Sequence, residues 1–156
     1  MSFFFSSDYP KALRPFSVAI VHAEFNAPLM EKLLEQTLKG LKKCGIAEAA
    51  IEVVAVPGSL EIPFLARKLM ETGDFDGIIA LGIVIRGETY HFELVATETV
   101  RGIMELNLEG NIPVISGILA VENEAQAVAR LEKGLEFAKG LVQMMNLNSG
   151  FEIPEE

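Results

Sequence analysis

Four apolar, largely β-branched runs, at residues 16–22, 51–56, 77–86 and 113–119, alternate along the chain with segments whose apolar residues recur at helical spacing. Ile78-Ile79-Ala80-Leu81 and Ile83-Val84-Ile85 are almost unbroken, the pattern of strands buried on both faces. A first helix is predicted after Asn26, an N-cap type, with Pro28 in its first turn and Gly45 closing it. Leu33, Leu34, Leu38 and Leu41 then share one face. A second starts at Ser59, accepts Pro63 near its beginning and ends by Gly73. The third starts near Thr89, carries Phe92, Val95, Ala96, Thr99, Ile103 and Leu106 on one stripe, and stops at Gly110. The fourth is read as one helix over 122–147, with Gly134 and Gly140 as bends. This alternation predicts an α/β domain over residues 16–150 whose parallel sheet is covered on both faces, between an N-terminal arm (1–15) and a short tail (151–156). Right-handed crossovers bring the loops at 22–26, 57–61, 86–91 and 120–123 to the carboxyl edge of the sheet, where open α/β sheets bind ligands.

Composition narrows the picture. The chain has 156 residues, enough for one core without disulfides or a structural metal. Half of it is apolar, yet no run approaches the roughly 20 residues of a spanning helix, so no membrane role is expected. The start lacks a basic residue before Phe3-Phe4-Phe5 and does not resemble a signal peptide, which predicts a cytoplasmic protein. Cys44 is the single cysteine. It excludes an internal disulfide and multi-cysteine metal sites, and is expected to be buried. The net charge is −9, with 13 Lys and Arg scattered rather than clustered, so nucleic acid is not an expected partner. A small anionic ligand still fits if one or two cations converge.

The candidate chemistry lies in the loops. In Arg86-Gly87-Glu88-Thr89-Tyr90-His91, Gly87 is read as permitting a tight turn, and free N–H groups near Thr89 as presenting positive dipole ends to an anion. His91 falls in the first helical turn, where the dipole favours a neutral imidazole able to accept and return a proton. In Val56-Pro57-Gly58-Ser59-Leu60-Glu61-Ile62-Pro63, Glu61 either simply stabilises the helix dipole or joins Ser59 and Leu60 in bonding a polar ligand. Phe25 can stack on a heterocycle, while Asn26 can cap its helix or bind hydroxyls. Arg130 is either a solvated surface residue or a phosphate-binding fork, about two turns into the last helix. Two histidines and one cysteine suggest no metal cluster. The glycine fingerprints of dinucleotide, nucleoside triphosphate and serine-hydrolase sites are absent.

Taken together, Phe25-Asn26, the segment from Val56 to Pro63, Gly82-Ile83-Val84-Ile85-Arg86-Gly87-Glu88-Thr89-Tyr90-His91-Phe92, and Glu122-Asn123 followed by Gln126 and Arg130 resemble 6,7-dimethyl-8-ribityllumazine synthases, from about Phe16 to Leu147. The resemblance implies a flavodoxin-like, three-layer αβα sandwich with a four-stranded parallel sheet. It also implies a transferase of riboflavin biosynthesis that needs no cofactor, condensing 5-amino-6-(ribitylamino)uracil with 3,4-dihydroxy-2-butanone 4-phosphate. On this resemblance His91 transfers protons and Phe25 stacks on the pyrimidine. Asn26 and Glu61 match ribityl positions, and Ser59, Leu60, Ile83, Val84 and Ile85 match pyrimidine positions, largely through backbone. Glu88 and Thr89 match the butanone-phosphate loop, and Arg130 the cation that holds that phosphate. The family further implies a homopentamer or a multiple of it, with Ser116 and Arg130 facing the adjacent chain's His91 and residues 7–15 extending a neighbour's sheet.

The sequence departs from the family pattern at several positions. Leu60 and Ser116 stand where aromatic residues are usual, which predicts a thinner apolar wall and weaker affinity. Ala120-Val121 replaces a threonine pair, and the stretch between Arg130 and Asn146 is short, which counts against a lysine contact and the 60-subunit shell. The competing expectation is a non-catalytic flavin- or lumazine-binding, or shell-forming, protein on the same scaffold.

Overall fold

The computed structural model describes residues 8–151. Its four strands are β1 (Val18–Ala23), β2 (Ile51–Val56), β3 (Gly77–Ile85) and β4 (Val114–Val121). All pair in parallel in the order β2-β1-β3-β4. Helix α1 (Ala27–Lys43) follows β1, α2 (Ile62–Glu71) follows β2, α3 (His91–Glu109) follows β3, and α4 (Glu124–Val128) and α5 (Lys133–Ser149) follow β4. The expected αβα sandwich and its flavodoxin-like order are therefore present.

Pleating sorts the strands' side chains into two cores. Val18, Ile20, Ile79, Leu81, Ile83, Leu119 and Val121 point to the layer of α1, α4 and α5, where Leu33, Leu41, Leu141 and Met145 meet them. Ala19, Val21, Ile78, Ala80 and Val114 point to α2 and α3 and pack on Ile62, Ala66, Ile103 and Leu106. Each large side chain fully buried this way contributes about 1.5–3 kcal/mol. Leu34 and Leu38 pack at the margin of the first core, so the predicted face of α1 holds. Cys44 is buried there, and the apolar surroundings push its thiol up to about 11, against the nearby charges of Lys11 and Lys139. Gly45 and Gly73, at φ 89° and 74°, terminate α1 and α2 in the left-handed conformation that glycine adopts without strain. No described helix is long and apolar enough to cross a membrane.

Several boundaries differ from the sequence reading. The first strand begins at Val18 rather than residue 16, and β3 ends one residue before Arg86. Strand β4 runs two residues past 119, because β3 supplies partners for both extra residues: Val84 opposite Ala120, and Ile85 opposite Val121. Residues 59–61 form a separate 3₁₀ turn before α2, and α3 starts at His91, not Thr89. The single helix read over 122–147 is two, separated by a turn at 129–132 that places Leu131 in the core. Arg130 sits in that turn rather than inside a helix. Helix α5 runs without a break through Gly134 and Gly140. A Cβ on Gly134 would lie 2.7 Å from the backbone nitrogen of Thr37, so this glycine permits close approach of α5 to α1.

Residues 8–15 form no strand. They bond to their own chain: Ala12 N–H donates to Cys44 O, Leu13 N–H to Asn146 Oδ1, and Asn146 Nδ2 to Lys11 O. The Tyr9 ring lies near Lys43 and Lys139, 5.0 and 4.3 Å from its centroid. Residues 8–15 of the stretch expected to extend a neighbour's sheet lie against α1 and α5 of their own chain, and its first residue, Ser7, lies outside the described residues.

Candidate active site

In the order β2-β1-β3-β4 the chain leaves β1 towards β2 and then crosses back to β3, so β1 and β3 flank the switch point at which open sheets leave a crevice. A cleft of about 480 Å³ opens there, at the carboxyl edge. It is lined by Phe25 after β1, residues 58–61 after β2, Ile83, Val84 and Ile85 of β3, Gly87 and Thr89 of the next loop, and His91, Phe92 and Val95 of α3.

Its floor comes from unequal strand lengths. β1 pairs with β3 only as far as His22 opposite Leu81, while β3 and β4 continue together to Ile85 and Val121. Residues 83–85 therefore project beyond β1 as a shelf. Asn26 fixes its near end: this residue holds the N-cap position of α1 in a left-handed conformation, φ 61°, and makes no side-chain cap bond. Instead its Nδ2 donates to Ile83 O at 3.0 Å, across the switch point. Arg86 N–H donates to Val121 O on the β4 side. Since successive strand residues turn their backbone groups to opposite sides, Ile85 presents its N–H and C=O to the open side. Apolar side chains with directed backbone groups suit a flat heterocycle.

The walls are held by close packing. Ser59 is buried, and a Cβ on Gly82 would lie 2.5 Å from its Oγ; the absence of a side chain there lets the β2 loop sit down on β3. Leu60 remains 48% exposed and Phe25 72% exposed although both line the cleft. These two apolar faces are free to meet a ligand. Gly87 differs from expectation: its φ is not positive, and a Cβ there would meet nothing within 4 Å. Neither backbone conformation nor close packing therefore demands glycine at 87.

His91 is the first residue of α3, and its backbone N–H donates to Thr89 Oγ1 at 3.3 Å. Beside it, the Arg86 guanidinium donates from Nη1 to Glu93 Oε1, and from Nε to Glu122 Oε2 at 2.7 Å. Its Cζ lies 4.4 Å from the centre of the Phe92 ring. Hydrogen bonding from Arg86 holds the Glu93 carboxyl below its ordinary value, and Arg86 is raised by Glu93 first and Glu122 second.

Of the residues read from sequence, Phe25, Ser59, Leu60, Glu61, Ile83, Val84, Ile85, Thr89 and His91 meet at this cleft. Asn26 supports it from beneath, and Glu88 lies exposed in the same loop without lining it. Ser116 and Arg130 do not reach it. Ser116 is exposed on the edge strand β4, opposite Ala80, and Arg130 donates from Nη1 to Gln126 O at 2.9 Å, beyond β4. Four converging loops were expected; the cleft uses three, because β3 stands between it and β4. Sequence reading missed Phe92 and Val95 as lining residues. Val95 lies four residues after His91, one turn along the same helix face, and that spacing was the available signal. Among the described residues, no three His, Cys, Asp or Glu side chains come together as metal ligands would.

Comparison with known proteins places the chain in a family. The sequence model of the 6,7-dimethyl-8-ribityllumazine synthase family matches residues 15–149. The chain belongs to that family. Among its relatives, the 6,7-dimethyl-8-ribityllumazine synthase of Cupriavidus metallidurans is 47% identical over 131 residues, covering 83% of this chain and 78% of the relative. That of Burkholderia multivorans is likewise 47% identical over 131 residues, covering 83% and 76%. The family match spans the whole cleft, from Phe25 to Val95, as well as Ser116 and Arg130 outside it.

Proposed function

We propose that this chain is a lumazine synthase, condensing 5-amino-6-(ribitylamino)uracil with 3,4-dihydroxy-2-butanone 4-phosphate to 6,7-dimethyl-8-ribityllumazine, phosphate and water. The observation that carries the proposal is the position of His91, the first residue of α3, lining the same cleft as the β3 shelf and the Phe25–Leu60 walls. Imine formation, loss of phosphate and ring closure all require protons to move between nitrogen, oxygen and carbon. One histidine, with both substrates held in register, is sufficient for that chemistry.

In this reading the pyrimidine lies on the Ile83, Val84 and Ile85 shelf beside Phe25, Ser59 and Leu60, with the ribityl chain towards Asn26 and Glu61. The butanone phosphate sits by Glu88 and Thr89, next to His91. Arg130 and Ser116 point away from their own cleft, so a second copy of the chain completes the site, in a homopentamer or a multiple of it. A cytoplasmic location fits the unpaired, buried Cys44.

Mixing the purified protein with both substrates and following lumazine fluorescence tests the reading. A rate above the spontaneous condensation is expected; its absence would leave the non-catalytic binding protein standing. Arg130→Ala is expected to raise the KM for the butanone phosphate about thirty-fold while kcat changes less than about three-fold, the loss of one charged hydrogen-bonding partner. An unchanged KM would remove Arg130 from the phosphate site. Sedimentation analysis checks the assembly, and a monomer with full activity would contradict the shared site.

A further inference from the structure

Arg86 makes contacts that neither substrate placement nor the core requires. It follows β3 directly and bonds to the first turn of α3 through Glu93, stacks over Phe92 of the same turn, and bonds to Glu122 at the end of β4. From Glu122 a chain of bonds continues: its N–H donates to Gln126 Oε1 at 2.8 Å, Gln126 N–H donates to the Asn123 cap at 2.9 Å, and Gln126 O accepts from Arg130 Nη1 at 2.9 Å. Within residues 86–93 the bond from His91 N–H to Thr89 Oγ1 is local and reaches no other element. Among the described residues, Arg86 is thus the side chain whose hydrogen bond ties this loop to another element.

We propose that Arg86 is a positioning residue with two separable arms: through Glu93 and Phe92 it sets the helix turn that carries His91, and through Glu122 and Gln126 it sets the turn that carries Arg130. The proposal rests on the roles given above to His91 and Arg130. A single exposed ion pair contributes little because solvent screens it and long side chains lose freedom in forming it. Here one planar guanidinium serves two carboxylates and a ring at once, so the ordering of one contact is shared by the others. Phe92 also lines the cleft, so the guanidinium braces part of the cleft wall. Without Arg86, Glu93 and Glu122 would face each other unpaired beside a site that admits a phosphate, and both charges would oppose the incoming anion.

Steady-state kinetics separate the arms. Arg86→Gln is expected to lower kcat and raise the KM for the butanone phosphate, each about five-fold, the scale of an exposed ion-pair network. Glu93→Gln should reproduce only the kcat change and Glu122→Gln only the KM change, with thermal unfolding midpoints close to the parent's. Should Arg86→Gln fail to fold, the two glutamate variants decide alone. Parent-like kinetics in all three, or both parameters moving together in both glutamate variants, would overturn the clamp and leave a general surface bridge. His91→Ala and Arg130→Ala run in parallel keep the failures apart: if they act as expected while the Arg86 set does not, the clamp alone is wrong.

Discussion

Replacing His91 with alanine lowers kcat for the condensation by about a hundred-fold and leaves both KM values within about three-fold. This is the expected result if the imidazole moves protons rather than holding substrate. Its place at the start of α3 puts it beside the Thr89 loop and within the same cleft as the Ile83–Ile85 shelf, where the proposed function brings the two substrates together. The loss falls at the low end of the range for general acid–base catalysis because His91 is exposed, so water can take over part of the proton traffic. Binding should survive, since the walls are built by Phe25, Leu60 and β3. His91→Asn retains hydrogen-bonding groups without a titrating ring and should be no better than alanine. Initial rates corrected for the uncatalysed condensation check this; a kcat within about two-fold of the parent in either variant would exclude proton transfer by His91.

Gly134→Ala costs about 2–3 kcal/mol of stability, as overpacking of a tight core does. The corresponding fall in Tm is about 5–10 °C for a domain of this size. The new Cβ would lie 2.7 Å from Thr37 N and 2.8 Å from Leu33 O and Thr37 Oγ1. Two of these atoms belong to the α1 backbone and cannot give way alone, and the hydroxyl already donates to Leu33 O at 2.9 Å. Relief requires α5 to move off α1 as a body. The same crossing places Gly40 against Ala138, where an added Cβ would come within 2.6 Å, so nothing nearby absorbs the displacement. Thermal unfolding at one fixed protein concentration gives the answer, because assembly also shifts Tm. A midpoint within about 2 °C of the parent would show that the helices separate at little cost. Well below Tm, kcat should stay within about three-fold of the parent, as α5 contributes nothing to the cleft that His91 lines.

Much of this architecture is legible without coordinates. Strands covered on both faces must be apolar almost throughout, so β1 and β3 appear as nearly continuous apolar runs rich in Val, Ile and Ala. The loop from Arg86 to His91 is visible for the same reason, as the point where such a run meets a helical stripe. Strand ends are less visible, since Ala120 and Val121 become strand only because β3 is long enough to pair with them. The break between α4 and α5 has no glycine or proline at residues 129–132 to announce it. Gly134 invites the opposite error: a glycine in a helix reads as a bend, yet the demand for it comes from another helix across the layer.

The chain by itself determined the alternation of strand and helix, the loop that presents His91, and the family pattern, because each is written in local residue types and spacings. The tertiary structure alone decided which loops share a cleft. Strand order is set by how crossovers pack, and equally apolar strands do not record it. With β3 lying between β1 and β4, the switch point gathers the loops after β1, β2 and β3, and leaves Ser116 and Arg130 facing outward from β4 and the turn beyond it.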